Sequence, residues 1–449
     1  MIASAVAAIA GAAGLAACAG YTPHSLASEP DLAPAVGRLS VDVSRLRLGP
    51  LAAHPFDPAA GLDPTDIAIL AVLNSPDLKA KRRLAKVAAA QAFAAGILPD
   101  PQLTFTIDVP VPGAQAITAY NINPNLDLLA LVTHASALRA ARAASDQADL
   151  DLLWSEWSAA QQARTLAVTI MADEAKATVL RTIAADLETR YARSRRAYLA
   201  HDLIATATSA DLAAKLDAES QLATALRDAV KARGDLDALL GLEPSVRLAL
   251  VSGPQTIVRD PAWLNGALAL LPRRRPDLLA LQAGYRAQNA NLRKAVLTQF
   301  PLINLGFSRQ RDNTGILSNG LSGSLVIPIF NHARGDIAVQ SATRERLAAE
   351  YQARLDQTVA DVATAQRTRD ADAATLRGLE AQVPTLVSMT HEASVAAARG
   401  DLDSAAFLAL QQSALKQQVV VLDLRLALAL ADISLDTVLF LPSDESATR

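Results

Sequence analysis

Leu271-Pro272-Arg273-Arg274-Arg275-Pro276-Asp277-Leu278 opens the stretch that decides the fold, which runs on to Asp336. A helical run follows to Phe300. Pro301-Leu302-Ile303-Asn304-Leu305-Gly306-Phe307 then alternates like a strand. A Gly/Ser/Asn loop, Asp312 to Gly323, turns the chain into Leu325-Val326-Ile327-Pro328-Ile329-Phe330. A long helical pattern starts just after it. The order is helix, strand, turn, strand, long helix.

The same plan occurs earlier in the chain. Pro76-Asp77-Leu78 returns as Pro276-Asp277-Leu278, and Pro101 returns as Pro301, both at an offset of 200 (276 − 76; 301 − 101). Leu103, Phe105 and Ile107 match Ile303, Leu305 and Phe307. Ala200-His201-Asp202-Leu203 aligns with Arg399-Gly400-Asp401-Leu402 at an offset of 199 (399 − 200). Matches in one register mark an internal repeat. The first repeat spans 63–241, with strands near 102–109 and 117–128 and long helices over 131–199 and 203–240. A connector, 242–271, holds a short helix. The second repeat spans 272–441, with strands near 301–309 and 321–330 and long helices over 333–398 and 404–440. Pro384 is expected to kink or interrupt the first of these, and 442–449 is a tail.

Composition narrows the class. Apolar residues make up 51% of the 449, aromatics only 4%, and charged residues 19%. Such alanine-rich, leucine-spaced sequence suits long helices packed closely. A net charge of −3 lacks the basic face of a nucleic-acid binder. One cysteine excludes an intramolecular disulfide framework, and the six histidines show no HExxH-type spacing. No nucleophile–base pair, metal set, cofactor site or phosphate loop is visible, so no enzymatic activity is expected. The nearest interior approach to a membrane helix, Val419 to Leu441, carries Asp423, Arg425, Asp432 and Asp436 and reads as a packed helix.

Residues 1–17 are small and apolar, of signal-peptide length. Leu15-Ala16-Ala17-Cys18-Ala19 resembles a bacterial lipobox, which makes Cys18 the expected lipidation site. The alternative is a plain signal peptide with an incidental cysteine. Residues 18–62 are proline-rich and aperiodic, an extended leader that wraps another surface or stays mobile.

A helix of some 65 residues is about 100 Å long, so it must pair with its return helix and neighbours, as in a coiled coil. Each half supplies two strands of roughly nine to eleven residues, enough to cross a bilayer at a tilt. Four strands cannot close a barrel, and open edges are not tolerated in lipid. Several chains must therefore combine if the strands lie in a membrane. The competing expectation is a soluble cap on a helical bundle, in a lipid-anchored coiled-coil scaffold without a pore.

Arg275-Pro276-Asp277-Leu278, Ala287-Gln288-Asn289-Ala290-Asn291, Phe300-Pro301-Leu302-Ile303-Asn304-Leu305 and Ile327-Pro328-Ile329-Phe330-Asn331, in that order, resemble the TolC-type outer membrane efflux proteins, lipoprotein branch. The resemblance implies a mainly α chain with a β-barrel part. Three protomers would give a twelve-stranded transmembrane barrel over a periplasmic helical tunnel. It implies a passive duct in the outer membrane, working with a periplasmic adaptor and an inner-membrane pump. The family's periplasmic tip carries a glycine followed by aspartates six and nine residues on. Here the glycine matches Gly400, but those later positions are Ala406 and Ala409. Asp401 and Asp403 could substitute electrostatically, or Phe407 and Leu408 could form an apolar constriction. In the other hairpin His201 replaces the glycine, beside Asp202. These tips read either as adaptor-docking surfaces or as solvated helix ends. Arg273, Arg274 and Arg275 read as caps and bridges between the halves rather than as a lipid or phosphate clamp.

Overall fold

The computed structural model describes residues 22–56, 61–113, 115–251, 261–300, 302–326 and 330–440. The elements are α1 (Gly49–Ala53), α2 (Pro64–Asn74), α3 (Pro76–Gly96), β1 (Gln102–Asp108), β2 (Ala119–Asp127), α4 (Leu128–Leu199), α5 (Ala205–Leu240), α6 (Pro261–Arg274), α7 (Pro276–Leu297), β3 (Leu302–Arg311), β4 (Leu317–Val326), α8 (Arg334–Arg399) and α9 (Ser404–Leu439).

Proline sets the two repeats in phase. Pro76 and Pro276 open α3 and α7, where a missing N–H costs little and the fixed φ suits a helix start. The joints before them have the same hydrogen bonds. Ser75 N donates to Ala71 O and Lys79 N to Ser75 O; Arg275 N donates to Leu271 O and Leu279 N to Arg275 O, all at 3.0 Å.

Packing begins at α2. Its N-terminus is closed by a capping box. Asp63 Oδ1 accepts from the Thr65 and Asp66 amides (2.7 and 2.8 Å), and Asp66 Oδ2 accepts from the Asp63 amide (3.0 Å). Every residue from Thr65 to Asn74 is buried, as expected of a helix with apolar residues on all sides. Leu46, Leu48 and Leu51 of the leader cover one side, together with Trp157. Ala163, Ala167 and Ile170 of α4 and Leu236 and Leu240 of α5 cover another. The leader thus wraps its own chain: Ser40 N donates to Asn74 Oδ1 at 2.7 Å, and Ala33 bridges Leu242.

α4 has 72 residues, about 110 Å of helix. Its partner α5 runs back along it, and small buried residues (Ala177 with Ala214, Ala218 and Ala225, and Ala163 and Ala167 with Ala232) let the backbones approach. Here the alanine-rich composition acquires its physical meaning. α8 and α9 form the second such pair. α8 continues through Pro384, so of the kink or interruption expected there the interruption does not occur. Pro384 is exposed, so the Glu380 carbonyl it cannot bond lies on the side of the helix open to water. Trp157 ties α4 to the end of α9: its indole N–H donates to Thr437 O at 3.0 Å, and its ring meets Phe440 edge-on at 5.0 Å.

The four strands form one antiparallel sheet in the order β1-β2-β3-β4. β4 begins at Leu317 rather than at the expected 321, and residues 318–323, expected in the loop, pair with Leu305–Gln310; 327–329, expected at its end, lie outside the described residues. The turn is shorter because Asp312 closes it. Its Oδ1 accepts from Thr314 N (2.9 Å), Thr314 Oγ1 (2.7 Å) and Ile316 N (2.9 Å), and Gly315 takes φ 100°. The Thr314 hydroxyl, followed by the Ile316 amide, holds the Asp312 carboxyl below its usual range. The β2–β3 ladder skips Asn123 and Pro124 while the register on either side is unchanged, as a proline without an N–H requires. Pro328, near the end of the expected second strand of the other half, lies outside the described residues.

Candidate functional site: the sheet faces and the helical tips

Register places directly opposed residues on one face of a sheet. Leu103, Phe105 and Ile107 oppose Pro124, Ile122 and Tyr120; across β3 and β4 the same face continues through Leu305, Phe307 and Leu321. Phe105 is 70% exposed and Leu321 93%. The other face carries Gln102, Thr104, Thr106, Asn121, Asn123 and Asn125, then Asn304, Ser308 and Gln310, then Ser318, Ser322 and Ser324. One face is mostly apolar; the other is mostly amide and hydroxyl, with Asp108, Asp127, Ala119, Leu302 and Val326 at strand ends. Arg309, Arg311 and Asn319 stand on the apolar face, at its turn end. A ten-residue strand tilted as in membrane barrels covers about 25 Å, the height of a lipid-facing band.

Gly306 lies on the polar face, where a side chain would not fit. A Cβ there would fall 2.7 Å from Pro124 O and 2.6 Å from Asn123 Oδ1. The gap lets Ser322 Oγ of β4 reach Asn123 Oδ1 of β2 across β3, at 3.1 Å. Among the described residues the sheet's edges are open: β1 pairs only with β2, and β4 only with β3.

At the far ends of the helices the two tips share one geometry. His201 N donates to Tyr198 O and Asp202 N to Ala197 O; Gly400 N donates to Ala397 O and Asp401 N to Ala396 O. Each is a Schellman turn. Gly400 takes the left-handed conformation easily (φ 83°), whereas His201 adopts it with a side chain (φ 64°). His201, Asp202, Asp401 and Asp403 are exposed, and Asp403 makes no side-chain cap to α9. Phe407 is half-buried, with the Arg190 guanidinium of α4 5.5 Å from its ring centroid. Arg190 Nε donates to Asp211 Oδ1 of α5 at 2.9 Å, and Asp211 is buried. The structure thus joins Phe407 to the first hairpin through Arg190 and Asp211, which sequence reasoning missed. Their near-equal distances from His201 would have signalled a cross-hairpin pair. Cys18 lies outside the described residues.

Between the halves, Arg275 is buried and bridges. Its Nε and Nη2 donate to the two oxygens of Asp277 (2.7 and 3.0 Å), its Nη1 donates to Val438 O (3.2 Å), and it stacks 4.6 Å over Trp154. Arg273 and Arg274 are exposed.

No helix among the described residues is long and apolar enough to cross a membrane. No protein-family model matches the chain, and no curated protein matches it. Solved structures do. A structure of CusC, described in terms of transmembrane channel formation, aligns with 87% of this chain and 95% of its own at a TM-score of 0.70 and 17% identity. The outer-membrane channel OprN aligns over 94% and 99% respectively, with a TM-score of 0.71 and 15% identity. The CmeC outer membrane channel of Campylobacter jejuni aligns over 86% and 87%, with a TM-score of 0.71 and 13% identity. Over nearly its whole length, the chain has the fold of these outer-membrane channel proteins.

Proposed function

We propose that the protein is the outer-membrane exit duct of a tripartite efflux or secretion system, passing substrates from the periplasm to the outside without catalysis of its own. Three copies close a twelve-stranded barrel over a helical tunnel. Cys18 carries lipid that anchors the leader in the outer membrane, and a periplasmic adaptor with an inner-membrane pump opens the tips.

One observation carries this reading: a sheet with one apolar face, one polar face and two open edges. A water-soluble cap would have no use for exposed Phe105, Phe307 and Leu321. A membrane barrel needs that face toward lipid, a polar face toward the lumen, and no free edge. The repeat supports one way for the ring to close. Within the chain β2 of the first half pairs with β3 of the second, and α4 packs on α7. The reciprocal contacts, β4 with β1 and α8 with α3, have no counterpart of similar extent among the described residues. A neighbouring copy supplies them. α3 and α8 accordingly expose Leu84, Val87 and Phe93, and Val339 and Met389.

Single-cysteine labelling tests the reading. In detergent-purified protein reconstituted into vesicles, Thr106→Cys reacts with a water-soluble maleimide and Phe105→Cys does not. Equal labelling of both would discard the membrane sheet. At the tips, Asp401→Ala combined with Asp403→Ala is expected to alter channel conductance or adaptor assembly. No change in either would remove the charged-gate role and leave Phe407 as the constriction to test.

A further inference from the structure

The capping box of α2 leaves two carboxylate oxygens unused, and both turn toward one histidine. Asp63 Oδ1 and Asp66 Oδ2 are taken by backbone amides. The other two, Asp63 Oδ2 and Asp66 Oδ1, lie 3.5 and 3.4 Å from His54 Nε2. His54 is the C-cap of α1, so the contact joins the leader to the start of α2. We propose that His54, Asp63 and Asp66 form a divalent-cation site, suited to a zinc-class ion, that fastens the leader to α2.

Three features support it. The first is spacing. Separations of 3.4–3.5 Å are long for an N–H···O bond. They match the edge of a tetrahedron with metal–ligand bonds of about 2.1 Å, which is about 3.4 Å. The three donor atoms all lie within 4.8 Å of one another. The second is an unmet need. The Asp66 side chain is only 7% exposed, and its Oδ1 has no hydrogen-bond partner. A buried carboxylate oxygen without a donor is costly unless a cation meets it. The third is donor chemistry. One imidazole nitrogen and two carboxylate oxygens, with water completing the shell, suit zinc-class ions better than Mg²⁺ or Ca²⁺, which take oxygen ligands. The spacing 54, 63, 66 matches no sequence motif for such a site, because the leader's path brings His54 to the helix start.

Calorimetric titration of Zn²⁺ into the chelator-stripped, detergent-purified full chain tests the proposal. One Zn²⁺ per chain should bind. Its affinity should fall by at least about tenfold in His54→Ala and in Asp66→Asn. Asp63→Asn keeps an oxygen for the cap and should lose Zn²⁺ affinity with its helical circular dichroism unchanged. Zn²⁺ should raise the thermal midpoint of the wild type and leave that of His54→Ala where it was. Equal Zn²⁺ affinity in wild type and His54→Ala, or no binding heat at millimolar Zn²⁺, would overturn the site. His54 is on the leader, so its alanine variant decides the matter even if the α2 variants fold poorly.

Discussion

The two halves of the chain follow one plan and bury opposite parts of it. In the first half the long helix α4 is an interior element, with Leu152, Trp157, Ile170 and Leu180 buried, while α3 buries only Leu78. In the second half α7 buries Leu278, Ala280, Ala283 and Ala287, while α8 leaves most of its surface open. The partners made within the chain are α4 and α7; those left waiting are α3 and α8. Identical local rules thus give an inner seam within one chain and, in the proposed trimer, an outer seam between chains. The difference comes from connectivity rather than from helix or strand propensity.

The comparison is sharpest at the joints before Pro76 and Pro276. Arg275→Ala would leave buried Asp277 with only the half-exposed Arg354, whose Nε lies 3.3 Å from its Oδ2. It should cost up to about 3–5 kcal/mol, read as a lower urea midpoint. Ser75→Ala at the equivalent joint removes only a weak 3.5 Å cap to Leu78 N and should cost about 1 kcal/mol or less. Similar losses at both joints would break the distinction.

In the sheet, Gly306→Ala pushes a Cβ into Pro124 O and should cost about 1–3 kcal/mol. Thr106, its counterpart 200 residues earlier (306 − 200), already carries a side chain on β1. Thr106→Ala should change stability by no more than about 0.5 kcal/mol. At the tips the predicted signs are opposite. His201→Gly relieves a left-handed residue and should stabilise, whereas Gly400→Ala should destabilise, each by about 1 kcal/mol. The check is the thermal midpoint of each variant.

The smallest effect depends on pH. Burial raises the Asp237 carboxyl on α5, against the pull of Arg247 and Arg233. The folded state then holds this proton more tightly than the unfolded state. Its contribution favours folding below the ordinary value of 3.8 and is lost as pH rises through the raised value. Asp237→Asn should therefore be more stable than wild type at neutral pH, with the gap closing as pH falls toward 3.8. A gap that widens on acidification would reverse the assignment.

Much of this plan is legible in the sequence, because prolines and tip residues are local signals. Pro76 and Pro276, Pro101 and Pro301, and His201 and Gly400 mark the repeat without reference to contacts. Other features depend on pairing. The start of β4 is hidden because Ser318 to Ser324 has loop composition, which only its polar partners in β3 make compatible with a strand. The two faces of the sheet are weak in any one strand and plain once the register is known. Arg190 on Asp211 and Phe407, and His54 on Asp63 and Asp66, join segments that the fold alone brings together.

The central claim is that the open edges and outer helices of one chain are completed by its copies. Single-particle electron microscopy of the detergent-purified protein tests it most directly. The account predicts a three-fold tube whose barrel joins β4 of each copy to β1 of the next, with Phe105 and Phe307 facing the detergent belt. A monomeric rod, or a particle that leaves β1 and β4 unpaired, would contradict it.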